Sequence, residues 1–171
     1  MSSLVVFSTS TGNTKKIADA IFSALKDTDK KIVDVNEINK VDVSKFDKII
    51  IGGWIDKGDI DEKAKEFLTK LKNRKLGLFV TMGGNPETER AKNCFQEIKK
   101  SLEKNGNIVE KIFVCQGAID PNLINKFREM TKQGIAGPFA ATPEREARWA
   151  EAAKHPDKKD IENAKRIFEG L

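Results

Sequence analysis

Seven consecutive residues near the amino terminus, Ser8-Thr9-Ser10-Thr11-Gly12-Asn13-Thr14, lie between an apolar run and an amphipathic stretch. Hydroxyl groups and successive backbone N–H groups placed before a helix form a donor set for an anion. The positive end of the helix dipole adds to it, so phosphate is the expected guest. Gly12 allows the backbone to come close to a ligand, and Asn13 tolerates unusual dihedral angles. A helix cap alone needs one hydroxyl, and this loop carries several. The loop lacks the Gly-Lys-Ser/Thr ending of a nucleotide-binding P-loop and the spaced glycines of a dinucleotide fold. Neither Cys94 nor Cys115 is followed by the arginine that a cysteine phosphatase loop requires.

The elements that must hold this loop alternate between strand-like and helical patterns. Apolar runs at 4–8, 31–35, 46–52, 76–81 and 108–115 read as strands. Helical spacing of apolar residues marks 13–26, 61–73 and 88–104, and Asn105-Gly106 closes the last of these. Strands separated by helices of this length form a parallel sheet covered on both faces, with right-handed crossovers. Ligands of such sheets bind beyond the carboxyl ends of the strands. The loops richest in glycine and polar residues, 8–14, 52–60 and 81–88, each follow a strand, at that edge.

Ser-Thr-Ser-Thr-Gly-Asn-Thr after an apolar strand resembles the phosphate loop of flavodoxins, which bind FMN noncovalently. The resemblance covers about residues 4–118 and implies an α/β fold: a doubly wound five-stranded parallel sheet, order 2-1-3-4-5, with helices on both faces. It implies that Thr9, Ser10, Thr11, Gly12, Asn13 and Thr14 hold the FMN phosphate. It further implies that Gly53, Trp54, Ile55, Asp56, Lys57 and Gly58 flank the flavin ring on one side. Thr81, Met82, Gly83, Gly84 and Asn85 would meet its pyrimidine edge. An indole stacked on the ring contributes about 0.5–1.5 kcal/mol beyond its buried area, which is the expected role of Trp54. In the family a backbone carbonyl of the second loop bonds the reduced ring after a peptide flip, for which Gly58 and Gly53 both qualify. The sequence departs from the family at the third loop, which carries no aromatic residue; the outer face is left to Met82, to another segment or to nothing. It departs again in charge. The chain carries +5, whereas flavodoxins are typically acidic, although Asp56, Asp59, Asp61, Glu62, Glu87 and Glu89 outnumber Lys57, Lys63 and Arg90 around the expected rim.

Beyond the fifth strand, 121–132, 142–154 and 157–168 read as helices around the loop Gly134–Thr142. The last is expected to cover the sheet, leaving 121–154 as an extra segment; the alternative is that 121–132 covers the sheet and the rest wraps the surface. Its Gly137-Pro138-Phe139 loop and Trp149 would then shield the site or contact a partner. This tail also resembles that of flavodoxin-like proteins of anaerobic bacteria, among them an accessory of bilirubin reduction. A length of 171 residues with 39% hydrophobic content fits one domain over 1–171. The expectation is a cytoplasmic protein, monomeric or weakly dimeric, since no signal segment or membrane span is evident. Mixed rather than clustered charge argues against nucleic acid. Two cysteines form neither a disulfide framework nor a metal motif, and His155, the only histidine, reads as a surface residue. The expected function is electron shuttling between redox partner proteins, without a catalytic acid, base or nucleophile. The alternatives are an NAD(P)H- or quinone-linked FMN reductase, an accessory of a bilirubin-type tetrapyrrole reductase, or a flavin-free module that binds another phosphate ligand.

Overall fold

The computed structural model describes residues 1–171. Strands β1 (Ser2–Phe7), β2 (Asp29–Asp34), β3 (Lys48–Asp56), β5 (Lys75–Met82) and β6 (Ile108–Gln116) form a parallel sheet in the order β2-β1-β3-β5-β6. The expected 2-1-3-4-5 order is therefore present. The labels shift because a further two-residue strand, β4 (Asp59–Ile60), folds back antiparallel on the end of β3. Lys57 and Gly58 make that tight turn with φ of 50° and 87°. Left-handed angles at both central residues give a hairpin turn whose twist matches its strands.

Side chains alternate across the sheet, which explains how continuous apolar runs serve two cores. Leu4, Val6, Ile49, Ile51, Leu76, Leu78 and Val80 face helices α2 (Glu62–Lys70) and α3 (Glu89–Glu103). Val5, Phe7, Ile50, Phe79 and Phe113 face α1 (Asn13–Ala24) and α6 (Lys158–Phe168), which pack side by side. The fully buried Phe168 meets Phe79 edge-on, so the last helix covers the sheet as expected. Helix α2 is shorter than its pattern suggested, because Leu71 turns to an extended conformation. Two 3₁₀ turns, Val35–Lys40 and Val43–Lys45, occupy the connection after β2. Their short span carries too little periodicity to be read from sequence.

Helix α4 (Pro121–Lys132) buries none of its residues, while α5 (Pro143–Ala152) buries Trp149 and Ala152. An aromatic stack joins the two: Phe127 lies 5.0 Å from Phe139 and 6.0 Å from Trp149, centroid to centroid. Arg128 adds a two-pronged contact to Glu146, at 2.7 and 2.6 Å. The extra segment thus holds itself together largely by its own side chains.

Candidate functional site

At the carboxyl edge of the sheet, four loops enclose a cleft of about 370 Å³. The first follows β1, and its hydroxyls are partly engaged within the loop. Thr9 Oγ1 accepts the Gly12 N–H at 3.0 Å, and Thr11 Oγ1 accepts from the Asn13 amide at 3.2 Å. A hydroxyl that accepts keeps its own O–H for another partner. Gly12 stands at φ 95°, a left-handed angle costly for other residues, and provides no side-chain cap to α1. Each of the other five helices has its first turn capped by an Asp or Thr side chain. The leading N–H groups of α1 therefore lack both intrahelical and side-chain partners, as an anion-binding helix start requires. Thr14, directly behind, is buried and bonded to Thr81 of β5 at 2.9 Å.

A buried carboxylate ties the first loop to the second. Asp61, 4% exposed, accepts from the Ser8 hydroxyl at 2.6 Å, the Trp54 N–H at 3.2 Å and the Ala64 N–H at 3.2 Å. One side chain thereby fixes the end of β1, the end of β3 and the start of α2. Gly53 makes this possible, since a Cβ there would lie 2.6 Å from the Asp61 carboxylate. Asp61 is accordingly a buried strut and not the solvated rim charge that the sequence suggested. Of the remaining rim acids, Asp59 pairs with Lys65 at 2.5 Å and Glu87 with Lys92 at 3.2 Å.

The matching flavodoxin-domain model spans residues 4–169. This chain belongs to the flavodoxin family. It is 34% identical over 166 residues to the flavodoxin-like domain-containing protein BilS of Clostridioides difficile, covering 96% of this chain and 92% of that protein. An archaeal flavodoxin structure superposes with a TM-score of 0.61 at 15% identity, covering 99% of this chain and 95% of that one. Reduced Megasphaera elsdenii flavodoxin gives 0.53 at 26% identity over 66% of this chain and 84% of its own.

In this flavodoxin the cleft gathers Thr9, Ser10, Thr11, Asn13 and Thr14 with Trp54, Ile55 and Asp56, and with Thr81, Met82 and Gly83. Gly12 contributes backbone geometry only. Gly53 is behind the wall, Lys57 and Gly58 form the hairpin tip, and neither Gly84 nor Asn85 lines the cleft. Asn85 instead accepts the Glu87 N–H at 2.9 Å on the approach to α3. The fourth wall, Gly117, Ala118, Ile119, Asp120 and Leu123, was missed in the sequence. It is joined to the first loop by the Asn13 amide, which donates to the Ala118 carbonyl at 2.8 Å, and to β5 through Gly117 N–H and Met82 O at 2.8 Å. The rule that selects loops after parallel strands points to 117–120 as well; its plain composition gave no further signal.

The Gly137-Pro138-Phe139 loop and Trp149 do not reach the cleft; of the extra segment, only the start of α4 does, through Leu123. His155 is half-buried rather than exposed: Nδ1 stands 2.6 Å from Asp160, and its carbonyl accepts the Ala118 N–H at 2.9 Å. The Asp160 bond raises the His155 pKa above the usual imidazole value, against a smaller effect of burial. Cys94 is half-buried and donates to the Gly58 carbonyl at 3.1 Å. Burial raises its thiol pKa, as it does that of the buried Cys115, so neither resembles an activated nucleophile. No helix is long and apolar enough to cross a membrane.

Proposed function

We propose that this flavodoxin binds FMN noncovalently in the cleft and passes electrons between protein partners in the cytoplasm, acting as one unit over 1–171. The observation that carries the reading is the uncapped start of α1 beneath a hydroxyl-rich loop. The lining contains no lysine or arginine, so the phosphate would be held by neutral donors: the leading N–H groups of α1 and the hydroxyls of Thr9, Ser10, Thr11 and Thr14. Trp54 and Met82 offer aromatic and thioether surface to the ring, from the ends of neighbouring strands. Bound flavin supplies one- and two-electron chemistry, and the chain binds and orients it. Asp56 and Asp120 line the same cleft and disfavour further negative charge placed there. A Lactobacillus acidophilus flavoprotein solved in complex with FMN shares the fold, with a TM-score of 0.50 at 18% identity over 73% of this chain and 97% of its own.

The absorption spectrum of the purified chain, followed by FMN titration, tests this directly. Flavin bands and quenched FMN fluorescence are expected, and Trp54→Ala should restore part of that fluorescence. A colourless protein that leaves FMN emission unchanged would overturn the reading. Mixing with NADH or NADPH separates the carrier from a stand-alone reductase, since a carrier is not bleached without a partner. A narrower reading, in which the electrons serve a bilirubin-type tetrapyrrole reductase, is favoured by the likeness to BilS, which runs through the tail as well as the core.

A further inference from the structure

A second concavity lies between the turns that follow β2 and helix α2. This groove of about 770 Å³ shares no lining residue with the cleft. Its apolar wall carries Ile38, Val41 and Val43, all partly exposed, over the buried Phe67 and Leu71. Four cationic side chains border it, Lys63, Lys70, Lys72 and Arg74, against one carboxylate, Glu66. That carboxylate is already paired with Lys70 at 2.7 Å. Lys63 reaches only a neutral amide oxygen, Asn36 at 2.8 Å, and Arg74 donates to the carbonyl of Phe46. The lining of this trench is therefore cationic, while the cleft is lined by Asp56 and Asp120 and no cation.

The geometry points to this groove as a docking site for an acidic amphipathic helix of a partner protein. Charge complementarity selects the occupant. A helix with apolar residues on one face and carboxylates on its flanks would place the first against Ile38, Val41 and Val43 and the second against the unpaired cations. The nine residues of α2 give the trench a length of about 14 Å, two to three turns of such a helix. A nucleic acid would require aromatic faces for stacking, and the only aromatic lining residue, Phe67, is 6% exposed. A membrane would require a convex or flat surface in place of a trench. Docking here leaves the cleft free, so a partner could be retained by the groove while its redox group visits the cleft mouth, raising the local concentration without blocking transfer.

The test uses the full chain and a fluorescein-labelled fourteen-residue Leu/Glu amphipathic peptide, a length of about four helical turns. Its comparators are a Leu/Lys peptide of the same pattern, a single-stranded oligonucleotide and phosphatidylserine vesicles. Salt-sensitive binding of the Leu/Glu peptide alone is expected. Lys63→Glu with Lys72→Glu should weaken it about tenfold or more, because two attractive contacts become repulsive. Neither lysine is ion-paired, and Lys63 stands in the first turn of α2, where a carboxylate is tolerated, so the fold should persist. Ile38→Asn provides an independent variant that leaves the charges intact and should weaken binding as well. Absence of peptide binding, peptide binding indifferent to these variants, or equal binding of the oligonucleotide or the vesicles would overturn the proposal. The FMN content of the same preparations is read separately, so failure of the groove and failure of the cofactor reading are distinguishable.

Discussion

Helices α1 and α2 both start at the carboxyl edge of the sheet, a few residues beyond adjacent strands, yet their first turns are satisfied in opposite ways. At α2, Asp61 caps the helix through the Ala64 N–H and also accepts from Ser8 and Trp54, so its carboxylate is fully engaged by the protein. At α1 the capping position is Gly12, which has nothing to offer, although four hydroxyl residues precede it. The difference is one of support: the carboxylate ties one corner together, and the glycine leaves the leading donors of the neighbouring corner uncapped, where the proposed phosphate would bind.

Removing the strut should have the largest effect. Asp61→Ala leaves the Ser8 hydroxyl and the Trp54 and Ala64 N–H groups without a partner in a buried corner. A lost cap of about 1 kcal/mol and orphaned donors of about 1–3 kcal/mol together predict destabilisation of about 3 kcal/mol. Urea denaturation should show the shift, with Asp61→Asn recovering part of it; an unchanged midpoint would mean that the corner is held by something else.

The converse variant makes α1 begin as α2 does. Gly12→Asp supplies a capping carboxylate at a left-handed position, where strain of about 1–2 kcal/mol is partly offset by a cap of about 1 kcal/mol. Stability without FMN should therefore change little. FMN affinity should fall about 100-fold, equivalent to about 2.7 kcal/mol, because the new charge occupies the phosphate's place. Fluorescence titration distinguishes the two quantities, and retained affinity would move the phosphate away from this loop.

The contrast also marks where the sequence could be read and where it could not. The alternation of apolar runs and amphipathic stretches was enough for a parallel sheet covered on both faces, because each pattern has its own period; the strand order followed only from the resemblance to flavodoxins. The loop at 8–14 stood out because its composition exceeds what a cap needs. Asp61 did not, since nothing in Asp59-Ile60-Asp61-Glu62 marks which acid is buried; that depends on the hairpin turn at Lys57-Gly58, which reverses the chain toward Ser8. The wall at 117–123 was obscured for a related reason. Its role rests on backbone groups, the Ala118 carbonyl and N–H above all, and backbone groups leave no trace in residue type.

The start of α6 gives the smallest effect and a third way to fill a helix terminus. Asp157 and Asp160 cap each other's backbone there, and Asp160 holds the ring of His155. Asp157 and Glu151 add to the negative field around that ring, which stands 3.8 Å from Glu151 through Nε2. Because folding raises the His155 pKa, the native state binds its proton more tightly than the unfolded chain does. The resulting stabilisation is fully present below about pH 6.5, the unfolded value, and is lost as pH rises through the folded one. Urea midpoints at pH 6 and pH 9 should therefore differ more for the parent than for His155→Gln, which cannot take up the proton. Parallel pH profiles would show that the imidazole contributes as a neutral hydrogen-bonding group. The carbonyl of residue 155 still receives the Ala118 N–H in either variant, so FMN affinity measured at pH 9 should be alike in both.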